Sequence, residues 1–310
     1  MIENHIIFFL YTIIFIQSTI GYGYIFSKII GKEVLQNNIG YIGLFGFFFI
    51  SLISIFTSFF FAHNYLHNIT LHFVGLIASL FFFYNRIKLN ELKYLLILTF
   101  VLFIGLYVYK NHDDFPYYHL TYSLNLSENA FVVGAGNFSH GFRTFSSLFY
   151  YHSTLYLPFI EYYLFHIGPF YILVFFNYII IFKLINDIRS NQNNFIKYFA
   201  LISLIFINIV FYRIGEHGTD RSSQILLILI FLVFFQILNL NNNKKLILTY
   251  LSLLTILITF AASMKAIYYL YFLLLPVIFF KKKLFNEFLK KKKYFYNFSS
   301  FIQYFFEFNN

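Results

Sequence analysis

The stretch Ile6–Phe26, IIFFLYTIIFIQSTIGYGYIF, decides which solvent this chain folds in. It carries no charge and matches the roughly 20 apolar residues that a helix needs to cross a bilayer. No basic residue precedes it and no small-residue cleavage pattern follows, so it reads as a first membrane span rather than a removable leader. The whole chain agrees. Of its 310 residues 60% are hydrophobic and only 11% charged, with 49 Phe and 28 Tyr, and the mean hydropathy is +0.70. A water-soluble domain of this length has no core large enough for that much apolar surface. With no cysteine, disulfides, thiolate catalysis and Cys-based metal sites are excluded.

Similar runs recur, and the spacing predicts about nine spans: Ile6–Phe26, Ile39–Ala62, Ile69–Tyr84, Tyr94–Tyr109, Phe165–Ile185, Phe195–Phe211, Ser223–Leu238, Leu246–Ser263 and Ala266–Phe280. The last two read as a hairpin with almost no loop. The expected fold class is therefore all-α, a polytopic transmembrane bundle. One integral-membrane domain would cover residues 1–280, and a basic, Phe-rich cytoplasmic or interfacial tail residues 281–310. Seventeen of the 22 Lys and Arg fall in the loops after the odd-numbered spans and in the tail. The positive-inside rule then puts that side in the cytoplasm, the N-terminus outside and the C-terminus inside. The net charge of +10 is mostly this lysine collar, which suits an anionic inner leaflet and requires no nucleic acid. All ten histidines lie on or near the opposite side, including His5, His63, His67, His72, His140, His152, His166 and His217. The titratable chemistry is thus expected on the outer face.

The one long outward segment, about residues 110–165, opens with NHDDFPYYHL, Asn111–Leu120. Pro116 fits the first turn of a helix, with Asp113 and Asp114 near its positive end. Tyr117, Leu120 and Leu124 share one face, which predicts an interfacial helix between spans four and five with its apolar side toward lipid. A carboxylate here can take a proton from a hydroxyl or hold a divalent cation, Mg or Mn; it can equally just cap the helix. VVGAGNFSHGFRTFSS, Val132–Ser147, follows; its glycines allow a tight backbone path but lack the spacing and context of a nucleotide fingerprint. RIGEHGTDRSSQ, Arg213–Gln224, gathers charges between spans six and seven, and Lys265 interrupts an apolar run, where a lysine is costly unless it snorkels or pairs. With Arg143 these cations suit a phosphate. His63 and His67 are four apart but lack the glutamate of a zinc-protease motif, and read as an incidental pair.

Taken together these motifs resemble the GT-C superfamily of integral-membrane glycosyltransferases. They look closer still to a branch of uncharacterised bacterial GT-C-like membrane proteins. The run Asp114, Tyr118, His119, Leu120 is followed by Gly134, Asn137, Arg143, Ser146 and Ser147, then by the outward Asp220 and by Lys265. The likeness covers about Tyr94–Phe280. It implies transfer of a sugar from a polyprenyl-phosphate donor to an acceptor glycan or lipid, at the outer face of a bacterial inner (plasma) membrane. It also implies Asp113 or Asp114 as base or metal ligand, with His119 as a second metal ligand or acceptor contact. Arg143, Arg221 and Lys265 would face the leaving phosphate, and Asn137 and Asp220 would contact substrate. Two features depart from the pattern: family members are generally longer, and three extra spans precede the acidic loop. Two other readings stand beside it. One is a transporter or ion- or proton-conducting protein using the aspartates and histidines as a relay; the other is an inactive, truncated remnant.

Overall fold

A computed structural model describes residues 2–31, 38–85, 89–107, 114–138, 140–190, 195–211, 218–240 and 243–282. Those residues form helices and turns, with no strand among them. The long elements are α1 (Ile2–Ile30), α2 (Ile39–Ser58), α3 (Tyr65–Asn85), α4 (Leu89–Phe103), α7 (Ile167–Arg189), α8 (Phe195–Val210), α9 (Thr219–Asn239) and α10 (Lys244–Met264). Between α4 and α7 lie a π turn (Phe115–His119) running into α5 (Leu120–Glu128), two short 3-10 turns, and α6 (Ser147–Thr154). A 3-10 stretch (Ala266–Leu273) leads into α11 (Leu274–Lys281).

The surface confirms the solvent read from the sequence. Large apolar side chains stand exposed along α3 (Phe73, Leu80, Phe81), α4 (Ile97, Phe100, Val101) and α8 (Ile202, Ile205, Ile209). Serine, threonine, histidine and asparagine side chains such as Ser18, Ser54, His63 and Asn68 are buried. A protein in water would invert that arrangement, whereas in lipid polar groups gain most by bonding one another inside the bundle. α7 is the central helix, with Phe170, Tyr171, Phe175 and Phe176 fully enclosed, and it packs against α2, α4, α8 and α9. α1 is held between α2 and α3 at glycine contacts. A Cβ on Gly46 would meet the Thr19 carbonyl at 1.7 Å, and one on Gly21 the Gly75 carbonyl at 1.8 Å.

Contacts sort the helix ends into two poles. At one pole Ser54 Oγ donates to the Tyr150 carbonyl (2.6 Å), Phe131 N–H to Ser58 (2.7 Å), and Ser147 and Ser263 hydroxyls meet at 2.8 Å. These bonds tie the ends of α2 and α10 to the segment 114–166, here called the lobe. At the other pole Lys282 Nζ donates to the Leu238 carbonyl (2.9 Å) and Tyr94 lies against Phe182 (6.1 Å). α6 is buried along its whole length, seated among α2, α3, α7 and α10.

Among the described residues six helices are long and apolar enough to cross a membrane: Asn4–Ile30, Ile39–Ser58, Tyr65–Tyr84, Glu161–Arg189, Thr219–Asn239 and Lys244–Met264. The other three expected spans are shorter. α4 has 15 residues and α8 has 16, and 16 helical residues rise only about 24 Å against a hydrocarbon core of roughly 30 Å. The third expected span, in contrast, starts earlier than hydropathy alone suggests, because the polar His67 and Asn68 join α3 by bonding inward. The tight turn between the last two segments is present: Lys265 alone is extended between α10 and the 3-10 stretch. The helix after Pro116 exists, but α5 buries Tyr122, Ser123, Leu126 and Ser127 and packs on α6, while Tyr117 is exposed. The tail beyond Lys282 lies outside the described residues.

Candidate functional site

The chemistry-bearing residues of the lobe pole come together around Tyr118. Asp114 precedes the π turn, four residues before Tyr118, a spacing that brings both onto one helix face. The Tyr118 hydroxyl donates to Asp114 Oδ2 at 3.3 Å. Its ring lies edge-on to His119 at 4.4 Å, and its Cβ sits where any side chain at Gly141 would have to go, 2.2 Å from an added Cβ. Asp220, in the first turn of α9, also acts on this hydroxyl. Burial first, then the Asp114 and Asp220 carboxylates, push the Tyr118 hydroxyl up to about 12. It is therefore a hydrogen-bond donor, not an anion, at neutral pH.

Lys265 closes the group. Its extended backbone ends α10, and its ammonium forms an ion pair with Asp220. The side chains remain 46% and 55% exposed, so the pair is worth about 1 kcal/mol at most. The Ser147–Ser263 hydroxyl contact fixes the end of α10 two residues before Lys265. Three distant segments (the π turn, the start of α9 and the end of α10) thus deliver Asp114, Asp220 and Lys265 to one place.

Of the other expected site residues, Arg143 lies apart from this group, whereas His119 and Arg221 lie beside it. Arg143 is exposed, donates from Nε to the Gly136 carbonyl at 2.8 Å, and lines a cavity whose walls do not include Asp114, Asp220 or Lys265. Asn137 is exposed in the 3-10 turn Ala135–Asn137. Arg221 is half-buried in the first turn of α9. His119 is only 3% exposed, packed against Phe149 at 5.1 Å, beneath Tyr118 and not at its open side. Asp113 lies outside the described residues, as do Lys110, His112, Arg213, Glu216 and His217. Among the described residues no group of three or more His, Asp or Glu is arranged to hold a metal ion. Asp114 and His119 therefore gain no third described donor.

Tyr118 had a sequence signal, the i, i+4 spacing from Asp114. One further grouping is visible only in the structure: His63 and His67, expected to be an incidental pair, join no metal group among the described residues but take part in a hydrogen-bond network. Their rings stack at 4.6 Å; His63 Nδ1 meets Ser153 Oγ at 2.6 Å, and both rings reach Thr57 Oγ1, at 3.2 and 3.1 Å. Asn68 donates to the carbonyls of His63, Ser153 and Tyr156, and His72 bridges Ser18 and the Thr154 carbonyl, each at 3.0 Å. This network bolts α3 to α6. Burial and the neighbouring His67 bring His63 down to about 3, so it is neutral in use.

The architecture is that of a helical membrane protein with a polar cluster at one pole. The chain belongs to the family described as a domain of unknown function (DUF8201), which matches it over residues 6–310. No curated protein matches it, and no solved structure does.

Proposed function

We propose that this protein is a GT-C-like membrane glycosyltransferase, moving a sugar from a polyprenyl-phosphate donor to an acceptor hydroxyl at the lobe pole. The observation that carries the reading is the gathering of Asp114, Asp220 and Lys265 around Tyr118. In this reading the Asp114 carboxylate accepts the acceptor hydroxyl's proton as the new glycosidic bond forms, and the sugar–phosphate bond breaks to release the carrier phosphate. That phosphate gathers negative charge and needs a cation. Lys265 is held in place by Asp220 in a pair weak enough for a dianionic phosphate to take over the ammonium. Tyr118, neutral and donating its one proton to Asp114, accepts from a substrate hydroxyl. A divalent ion, if used, would need Asp114 together with groups brought by substrate.

The orientation belongs to the same proposal. Among the described residues Lys28, Lys93, Lys183, Arg189, Lys197, Lys244, Lys245, Lys281 and Lys282 lie toward the pole away from the lobe. The positive-inside rule makes that pole cytoplasmic and the lobe external, in a bacterial inner membrane. α4, α8 and Ala266–Lys281 each run between the poles, which supports nine crossings with locally thinned or tilted lipid.

The test is transfer of radiolabelled sugar from a polyprenyl-phosphate donor by purified protein in lipid vesicles. Asp114→Asn is expected to lose at least a hundredfold in rate while still inserting and eluting as the wild type does. Wild-type transfer by that variant would remove the base. A second reading, proton conduction, is favoured by one observation, the His63 and His67 rings stacked on each other and both bonded to Thr57, with the buried His72 near by. Acidification of vesicles on imposing a potential, abolished by His63→Gln but not by Asp114→Asn, would select it.

A further inference from the structure

The lobe contains a cavity of about 300 Å³ whose walls include Arg143 but not Asp114, Asp220 or Lys265. That volume is at the small end of ligand pockets, room for one ring and not for a chain. Phe131 and Phe145 supply flat apolar walls. The Tyr122 and Tyr150 hydroxyls share a hydrogen bond of 3.2 Å at its base, and burial raises both, so neither contributes an anion. Among the described residues no carboxylate lines it, and Arg143 is the one charged residue in its walls. Arg143 Nε is bonded to Gly136, which fixes the guanidinium plane, and among the described residues its terminal nitrogens donate to nothing else. Asn125 adds an amide at the rim.

We propose that this cavity binds a sugar ring carrying a carboxylate or phosphate. The C–H faces of the ring lie on Phe131 and Phe145, its hydroxyls reach Asn125 and the tyrosine pair, and its anionic group takes the fork of Arg143. A planar guanidinium offers two parallel donors to a carboxylate or phosphate, which a neutral sugar cannot use. A metal cation or an amine is repelled by the same charge. The site holds its ligand whether or not transfer takes place at Asp114, so it goes beyond the reading above.

Titration calorimetry on the full chain in lipid nanodiscs tests it with four probes: a methyl hexuronide, a methyl hexoside 6-phosphate, the neutral methyl hexoside, and benzoate. At least one anionic sugar is expected to bind saturably and at least tenfold more tightly than the neutral sugar and benzoate; which of the two binds identifies the anion. Arg143→Gln is expected to weaken it at least tenfold, with Arg143→Lys intermediate. Phe145→Ala, which trims a half-exposed ring, provides a second variant should Arg143→Gln fail to elute as the wild type does. No saturable binding, equal binding of the neutral sugar, preference for benzoate, or undiminished binding by a folded variant each overturns the proposal.

Discussion

Tyr118 and His63 show how single side chains at the lobe pole take their properties from their surroundings. Tyr118 donates to Asp114 and stays protonated because burial and two carboxylates oppose its anion. His63 stays neutral because it is buried and faces His67. The consequence for stability has a definite sign. The His63 pKa is about 3 in the fold and 6.5 when free. Between these values the unfolded chain binds a proton that the fold refuses. His63 therefore opposes folding increasingly as pH falls from 6.5 toward 3, by up to ~1.4 kcal/mol per pH unit. His63→Gln is expected to flatten the acid limb of the melting temperature in that window, though it lowers stability at neutral pH through the lost Ser153 bond. An acid limb as steep as the wild type's would remove His63 as its cause. Lys265 makes the complementary point: it is an isolated cation in sequence, but in space it is paired with Asp220.

At the scale of elements, close approach of helices governs the first half of the chain. α1, α2 and α3 come near enough for carbonyl oxygens to occupy the space of missing Cβ atoms at Gly21, Gly23 and Gly46. Such contacts are how helices associate when lipid offers no hydrophobic drive. Gly46→Ala is expected to cost about 1–3 kcal/mol and to lower the melting temperature in detergent. Gly218→Ala is the control, since its nearest neighbour, Arg221 Cγ, is 3.9 Å away. Equal melting of the two variants would show that α1 and α2 can move apart freely. α6 illustrates the other rule of this solvent. A two-turn helix with polar ends survives in the bundle because every one of its residues is enclosed and its hydroxyls bond neighbouring backbone.

The whole molecule separates the candidate site from most of the described cations along one axis. Asp114 and Asp220, the histidine network and the aromatic cavity lie at the lobe pole, and most of the described cations lie at the other. A periplasmically active reporter fused after Asn129 and a cytoplasmically active one after Ser190 should both give signal, and exchanging the two reporters should silence both. The reverse pattern would place the lobe in the cytoplasm and remove access to an externally displayed lipid-linked donor.

The sequence by itself determined the solvent, the helical class, most helix positions and the gathering of most cations on one side. These follow from hydropathy and charge, which are local or additive along the chain. It also indicated Asp114 and Lys265, because a charge beside an apolar run stands out in any window. Which charges meet was decided only by the tertiary structure. Lys265 found Asp220, Arg143 went to a different cavity, and His63 and His67 joined a network instead of standing idle. α5 rests on α6 through Tyr122, Ser123, Leu126 and Ser127, while Tyr117 stays exposed and Leu120 and Leu124 half-buried. Partner choice in a bundle depends on the rotation of each helix about its axis and on distances between segments far apart in sequence. Those are set by side-chain packing across the whole bundle, which no single stretch encodes.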